Sequence, residues 1–416
     1  VPELGQQLFV ELLDAPGADA ALSDSRLIDG SSPSDWPISF GVIPGPTSTP
    51  RLRVRLYRLD ETAADGSPQG TALIDETATL PGLATGVTTV EMTLAGACFG
   101  VAPDVVAHLA CDPTTGQLAA EPTLAPLADV AALPKPGSWG PATMVPCPSP
   151  PPSGMSCVPG GVALLGSPQF FPAGTALDSV PEQLVELSPF AIDVDEVTVG
   201  QVRSLVLSSG LSAPLIGDPD ANATPPACTY LGDNDASHDD YPVNCVSWGQ
   251  AEKACALLGK RLPTEAEWEY VASNLEQKTP FPWGADTKAC AYAWVGRGRP
   301  SVLSENTECS ASGPFGPTPQ GSSMDVTELG VRNLGGNVDE WVADTFEPYT
   351  GPCWQPESTL LVAPPPCMVP SPKPTHSIRG GNWSDAPAAA HAYTRNASLN
   401  GDEGGVTTGF RCASSM

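Results

Sequence analysis

The stretch "YPVNCVSWGQAEKACALLGKRLPTEAEWEYVAS", Tyr241 to Ser273, decides the fold. It holds two helix starts written in the same chemistry. Ser247 is followed three residues later by Gln250, and Thr264 by Glu267. In each pair the hydroxyl accepts a backbone N–H at the helix start, and the Gln or Glu side chain reaches back to the cap residue. Behind the first cap, Trp248, Ala251, Cys255 and Leu258 form an apolar stripe that Gly259 stops. Behind the second, "EAEWEYVAS" turns Trp268, Val271 and Ala272 inward.

Upstream, Thr198 and Gln201 make a third capping box, with Val199, Val202, Leu205 and Val206 behind it and Gly210 as the stop. Downstream of about residue 275 the chain becomes loop-rich, with short strands only. Residues 1 to about 140 read differently. "QQLFVELLDA", "RLRVRLYRLD" and "TTVEMTLAGACFG" alternate apolar and polar residues, with turn-rich segments between them. "PCPSPPPSGMSC", Pro146 to Cys157, reads as a stiff Pro/Ser linker. The expected architecture is α+β: an N-terminal all-β sandwich over 1–140, a Pro/Ser-rich linker over 141–157, and a loop-rich domain over 158–416. His108, the one histidine of the first region, reads as structural.

Composition bounds the function. The 48 prolines and 41 glycines exceed a fifth of the chain and demand much turn and loop. A net charge of −28 argues against nucleic acid and anionic membranes, whose phosphates would repel it. Twelve cysteines, none spaced as CxxC, and only four histidines point to disulfides rather than zinc. Disulfides place the protein in an oxidising compartment: secreted, periplasmic or at the cell surface. Cys98 with Cys111, Cys147 with Cys157, Cys228 with Cys245, Cys290 with Cys309 and Cys353 with Cys367 pair by proximity in sequence. No run approaches about 20 apolar residues, so no membrane span is expected. The chain begins at Val1, consistent with a removed signal peptide or lipoprotein leader.

The Tyr241–Ser273 segment, "FPWG" (281–284), "GGNVDEW" (335–341), "RGGNW" (379–383) and "GFRCA" (409–413) together resemble the formylglycine-generating enzyme family, also called sulfatase-modifying factors. The order and spacing match throughout 158–416. The resemblance implies a C-type-lectin-like fold, with two main helices and short sheets held by calcium and disulfides. It also implies a disulfide between Cys255 and Cys412.

The oxygen-using members carry two cysteines five residues apart, just after the "RGGNW" position, whose thiolates bind copper(I). By the resemblance those positions fall on Asp385 and Ala390. Asp385 offers hard oxygen, which suits calcium or magnesium and not copper(I), and Ala390 offers no ligand atom. No copper or iron is therefore expected. The family's calcium loop falls on "NLGGNVDEW", which implies a structural calcium ion held by Asn333, Gly336, Val338 and Glu340. Alternate residues of an extended loop can turn their oxygens one way, and Gly335 and Gly336 would permit the tight bend. Trp341, Trp383, Asp385, His391 and Arg395 are the candidates for lining a groove above that loop, with a core role as the competing reading for the two tryptophans. His391 could act there as a general base, with a structural role as the competing reading.

The function expected from these residues is a secreted or cell-surface, non-catalytic binding or assembly protein. Its ligand would be a protein, peptide or glycan, with self-assembly as a further option and no nucleic-acid partner. The competing readings are a divergent oxidoreductase of the same family and a structural subunit of a surface filament or coat.

Overall fold

The computed structural model describes residues 7–13, 22–29, 38–42, 50–57, 72–82, 87–127, 144–167, 179, 180, 182–216, 227–299, 302, 304–309, 314–354, 360–362, 366–371, 375–398, 403 and 405–416. The chain divides into two compact units, Val1–Thr143 with Pro356–Leu361, and Met144–Gln355 with Val362–Met416.

In the first unit, β1 (Gln7–Leu13), β2 (Leu22–Asp29), β3 (Arg51–Tyr57) and β4 (Ile74–Thr79) form one antiparallel sheet in the order β2-β1-β3-β4. The period of two explains its faces. Leu8, Val10 and Leu12 lie opposite Leu56, Val54 and Leu52, and all six are buried. The alternate residues make the other face: Arg55 pairs with Glu11 at 2.6 Å and Arg53 with Asp75 at 2.6 Å. Glu76 breaks the pattern. It faces Val54 across the apolar side, and burial, followed by the charge of Asp75, pushes its carboxyl up to about 8. β5 (Leu109–Cys111) and β6 (Leu118–Ala120) form a separate hairpin tied by Cys98–Cys111. The expected sandwich thus appears as one four-stranded sheet; a facing second sheet is not among the described residues. His108 is an exposed turn residue with φ 56°.

In the second unit the Pro/Ser-rich stretch is built into the fold. Val145 and Gly160 exchange backbone hydrogen bonds, Cys147 is bonded to Cys157, and β7 (Met155–Val158) pairs with β10 (Phe190–Asp193). β8 (Gly161–Leu165) and β9 (Gln183–Leu187) form a hairpin. All three capping boxes close in both directions, at the starts of α1 (Val199–Ser209), α2 (Trp248–Leu257) and α3 (Glu265–Ala272). Each such cap is worth about 1 kcal/mol. Gly210 ends α1 in the left-handed region at φ 69°.

The central sheet contains β11 (Asp339–Thr345), β13 (His376–Arg379), β14 (Arg395–Ala397) and β15 (Thr408–Phe410), in the order β14-β13-β11-β15. Only the β11–β15 pairing is parallel. A short β12 (Leu360–Val362) precedes β13, and β16 (Ala413–Ser415) joins β10 and β7. Trp341 and Phe410 from the sheet pack with Val202, Ala251 and Cys255 from the helices in one core. All twelve cysteines pair as the sequence predicts, Cys255–Cys412 included.

α3 departs from an amphipathic pattern, because its acids face inward. Glu265 and Glu269 are fully buried and meet Arg379 and Arg395, which reach them from β13 and β14. Arg395 Nε lies 2.6 Å from Glu265, and Arg379 Nη2 lies 2.5 Å from Glu269. Burying four charges is tolerable only because each has a partner.

Candidate functional site

The "GGNW" turn leads directly to the two positions where the resemblance places thiolates. Gly380 has φ 79°, and a Cβ there would lie 2.7 Å from the Leu334 carbonyl oxygen, so the close approach of this turn to the 333–340 loop requires glycine. Trp383 donates its backbone N–H to Asn337, and the carbonyls of Trp383, Ser384 and Asp385 accept from Arg297, Asn306 and Gly296. The segment is therefore held on both sides.

Ala390 ends a short 3-10 turn, Pro387–Ala390, and is fully buried. It packs among Phe281, Val295, and Ala289 and Ala293 of α4 (Ala289–Tyr292) or beside it. A methyl group in an apolar cluster fills the second thiolate position. Asp385 fills the first. Its Oδ2 accepts from the Asn382 amide at 2.8 Å, and the same nitrogen donates to Asp339 Oδ2 at 2.8 Å. Asn382 thus bridges two carboxylates. Burial, then the charge of Asp339, pushes Asp385 up to about 7; burial also raises Asp339. The pair is an oxygen site able to hold a proton near neutrality. It does not fit copper(I), since every cysteine of the chain is in a disulfide and no thiolate remains.

The other groove candidates are held by contacts of their own. Trp341 is fully buried, with its indole N–H donated to the Val246 carbonyl at 3.0 Å. Trp383 is fully buried as well. Both are core residues, so neither offers a face to a ligand. Arg395 lies in β14, clasped by Glu265 and stacked over Tyr349 at 3.8 Å. The requirement to neutralise a buried glutamate draws it inward. His391 packs its ring against Phe281, with centroids 4.2 Å apart, and burial lowers it to about 4. It is neutral at physiological pH.

The 333–340 loop bends at asparagines rather than at the glycines expected to turn it. Asn333 and Asn337 have φ of 59° and 71°, a region asparagine tolerates. Gly335 and Gly336 are needed for room instead. A Cβ on Gly336 would lie 2.9 Å from the Trp294 backbone, and one on Gly335 would lie 2.9 Å from the Ala390 carbonyl oxygen. The turned asparagines point both amides at one acid: Asn333 and Asn337 each donate to Glu196 at 2.9 Å. Ser323 donates its hydroxyl to Asn333 Oδ1. Glu340 is bidentate to Arg411 and also accepts from Trp268 at 2.8 Å. Asp325 lies against the loop, accepting the Gly335 N–H at 2.6 Å, while its other oxygen is buried with no hydrogen-bond partner. Burial pushes Glu196 up to about 8 and Asp325 up to about 7.

A calcium ion, as the resemblance implies, can be tested against these residues. The side chains are oxygen donors throughout, three buried carboxylates face one guanidinium, and one carboxylate oxygen is orphaned. That donor chemistry fits a hard divalent cation. Of the four residues the resemblance implies, Asn333 and the loop carbonyls of Gly336 and Val338 would hold it, whereas the Glu340 carboxylate is taken by Arg411 and Trp268.

Sequence reasoning missed Glu196, Asp325, Asp339 and Asn382. A signal existed for Asp339. In "NVDEW" the period of two sends Asp339 and Glu340 to opposite faces of β11, so one acid meets Arg411 and the other needs a second partner. Asp325 sits between Met324 and Val326, but nothing local announces its contact with Gly335.

Residues 141–416 match the Sulfatase-modifying factor enzyme 1-like domain. Among individual proteins the chain is similar to a formylglycine-generating enzyme of Bos taurus, 28% identical over 298 residues, covering 63% of this chain and 75% of that protein. It is also similar to an inactive C-alpha-formylglycine-generating enzyme 2 of Mus musculus, 29% identical over 181 residues, covering 42% and 50%. A hercynine oxygenase of Mycolicibacterium smegmatis is 26% identical over 261 residues, covering 58% and 56%. Among solved structures, PvdO from Pseudomonas aeruginosa superposes with a TM-score of 0.49 at 25% identity, covering 66% of this chain and 99% of that one.

Proposed function

The chain belongs to the sulfatase-modifying factor family, and from that premise we propose that its family domain is a non-catalytic binding or assembly module, secreted or displayed at the cell surface. One observation carries this reading: a buried alanine in an apolar cluster and an aspartate bridged to Asp339 occupy the two thiolate positions, in a chain with no free cysteine. A relative named as inactive supports it. Six disulfides fit an oxidising compartment, and among the described residues no helix is long and apolar enough to cross a membrane. The strongly negative charge makes nucleic acid a poor ligand, so the partner is a protein, peptide or glycan. Calcium has a structural role in this reading, fixing the 333–340 loop against the sheet.

The competing reading is a divergent oxidoreductase. The similarity to a hercynine oxygenase favours it, and the Asp339–Asn382–Asp385 bridge could move a proton. Oxygen consumption separates the two. The full chain, supplied with copper(I) or iron(II), a reductant and thiol peptides, is expected to consume no oxygen above the metal-only background. Stoichiometric uptake coupled to product would replace the binding reading with the enzymatic one. Sedimentation of the native material tests assembly: a repeating polymer would make the coat or filament role the specific function.

A further inference from the structure

The buried acids around the 333–340 loop do not balance. Glu196, Asp325 and Glu340 are each at most 1% exposed. Arg411 is the cation buried with them. It is bidentate to Glu340, and its remaining N–H groups go to the carbonyls of Asp193, Val194 and Arg332. Arg332 is itself closed by Asp195. Three carboxyl groups share one guanidinium. The three acids differ in what satisfies them. Glu340 has a guanidinium and an indole; Glu196 has two amides. Asp325 has one backbone N–H, from Gly335, and an orphaned oxygen, Oδ1. A buried carboxylate with half its acceptors empty is costly unless something positive meets it.

Asp325 is also tied to the loop through its main chain, because Asn333 donates its N–H to the Asp325 carbonyl at 3.0 Å. The carboxylate, the Asn333 amide and the glycine backbone therefore share one small volume. We propose that Asp325 is an anionic ligand of a divalent cation, calcium by its preference for hard oxygens, seated between its Oδ1 and the 333–336 backbone. This rests on the calcium reading and adds a ligand that the family resemblance does not supply. The ion supplies the positive partner that the orphaned Asp325 oxygen lacks, and its demand for six to eight oxygens draws on mixed carboxylate, amide and carbonyl donors.

The test uses the full chain, stripped with chelator and titrated with calcium alone by calorimetry and thermal unfolding. The wild type is expected to bind one ion per chain and to melt at a higher temperature when loaded. Asp325→Asn keeps an acceptor for the Gly335 N–H and is expected to bind calcium at least about tenfold more weakly. Its metal-free form should melt at or above the metal-free wild type, since a buried unpaired charge has been removed. Asp325→Ser is a second variant with the same expectation for calcium affinity. Calcium binding by both variants at wild-type affinity would overturn the role of Asp325 while leaving the calcium reading standing. No calcium binding by the wild type would overturn both.

Discussion

Glu265 and Glu269 of α3 and Asp325 beside the 333–340 loop are equally buried and very differently satisfied. Glu265 and Glu269 each meet an arginine, and that cluster behaves as a beam joining the helix to β13 and β14. Asp325, Asp339 and Asp385 meet amides and backbone N–H groups, none of which carries a charge. The burial of Asp325 matches that of the α3 acids and its pairing does not, so the first cluster is frame and the second, in the proposed reading, is available for a ligand or a proton. Pairing, not burial, separates structure from site in this domain.

The largest effect expected of that contrast comes from cutting the beam. Arg379→Met leaves Glu269 buried without its guanidinium and should cost about 3–5 kcal/mol in denaturant unfolding. A variant that lost less than 1 kcal/mol would show that amides can carry buried acids as well as arginines do. Next comes the covalent tie. Replacing Cys255 and Cys412 by alanine releases a closure between residues 157 apart and should cost about 2–5 kcal/mol by thermal melting.

The loop-side acids respond in the opposite sense. Asp385 is held up to about 7 in the folded chain and titrates near 4 when unfolded. Between those values the folded state keeps a proton that the unfolded state has lost, so stability from this group is present at low pH and lost as pH rises from about 4 through 7. Asp385→Asn should therefore gain up to about 3 kcal/mol on the wild type as pH rises from 4 to 7, read as the difference between two pH–stability curves. Parallel curves would place Asp385 with the paired acids instead. The smallest effect belongs to a pair at the surface. Arg203 is bidentate to Asp239 at the surface, and Arg203→Ala should leave the melting temperature indistinguishable from that of the wild type.

Much of the frame was legible in the sequence because its determinants are local. A capping box spans three residues, and five of the six disulfides join cysteines 10 to 19 apart. The alternation that marks β1 and β3 is equally local. The site was less legible because its contacts are not. Asn333 meets Glu196 across 137 residues, and Asn382 meets Asp339 across 43. α3 misled for the same reason: a helix written "EAEWEY" looks half exposed until arginines more than 100 residues away arrive to neutralise it. Trp341 and Trp383 are core residues, and Arg395 is drawn into the interior by Glu265, 130 residues away.

Replacement of a soft metal site by a carboxylate and a methyl group can be measured without knowing any ligand. An anaerobic competition titration with a chromophoric copper(I) chelator, run on the full chain and on the Asp385→Cys, Ala390→Cys double variant, reads it directly. The wild type should leave the chelator's copper(I) untouched, and the double variant should withdraw one equivalent. Withdrawal of copper(I) by the wild type would contradict the account.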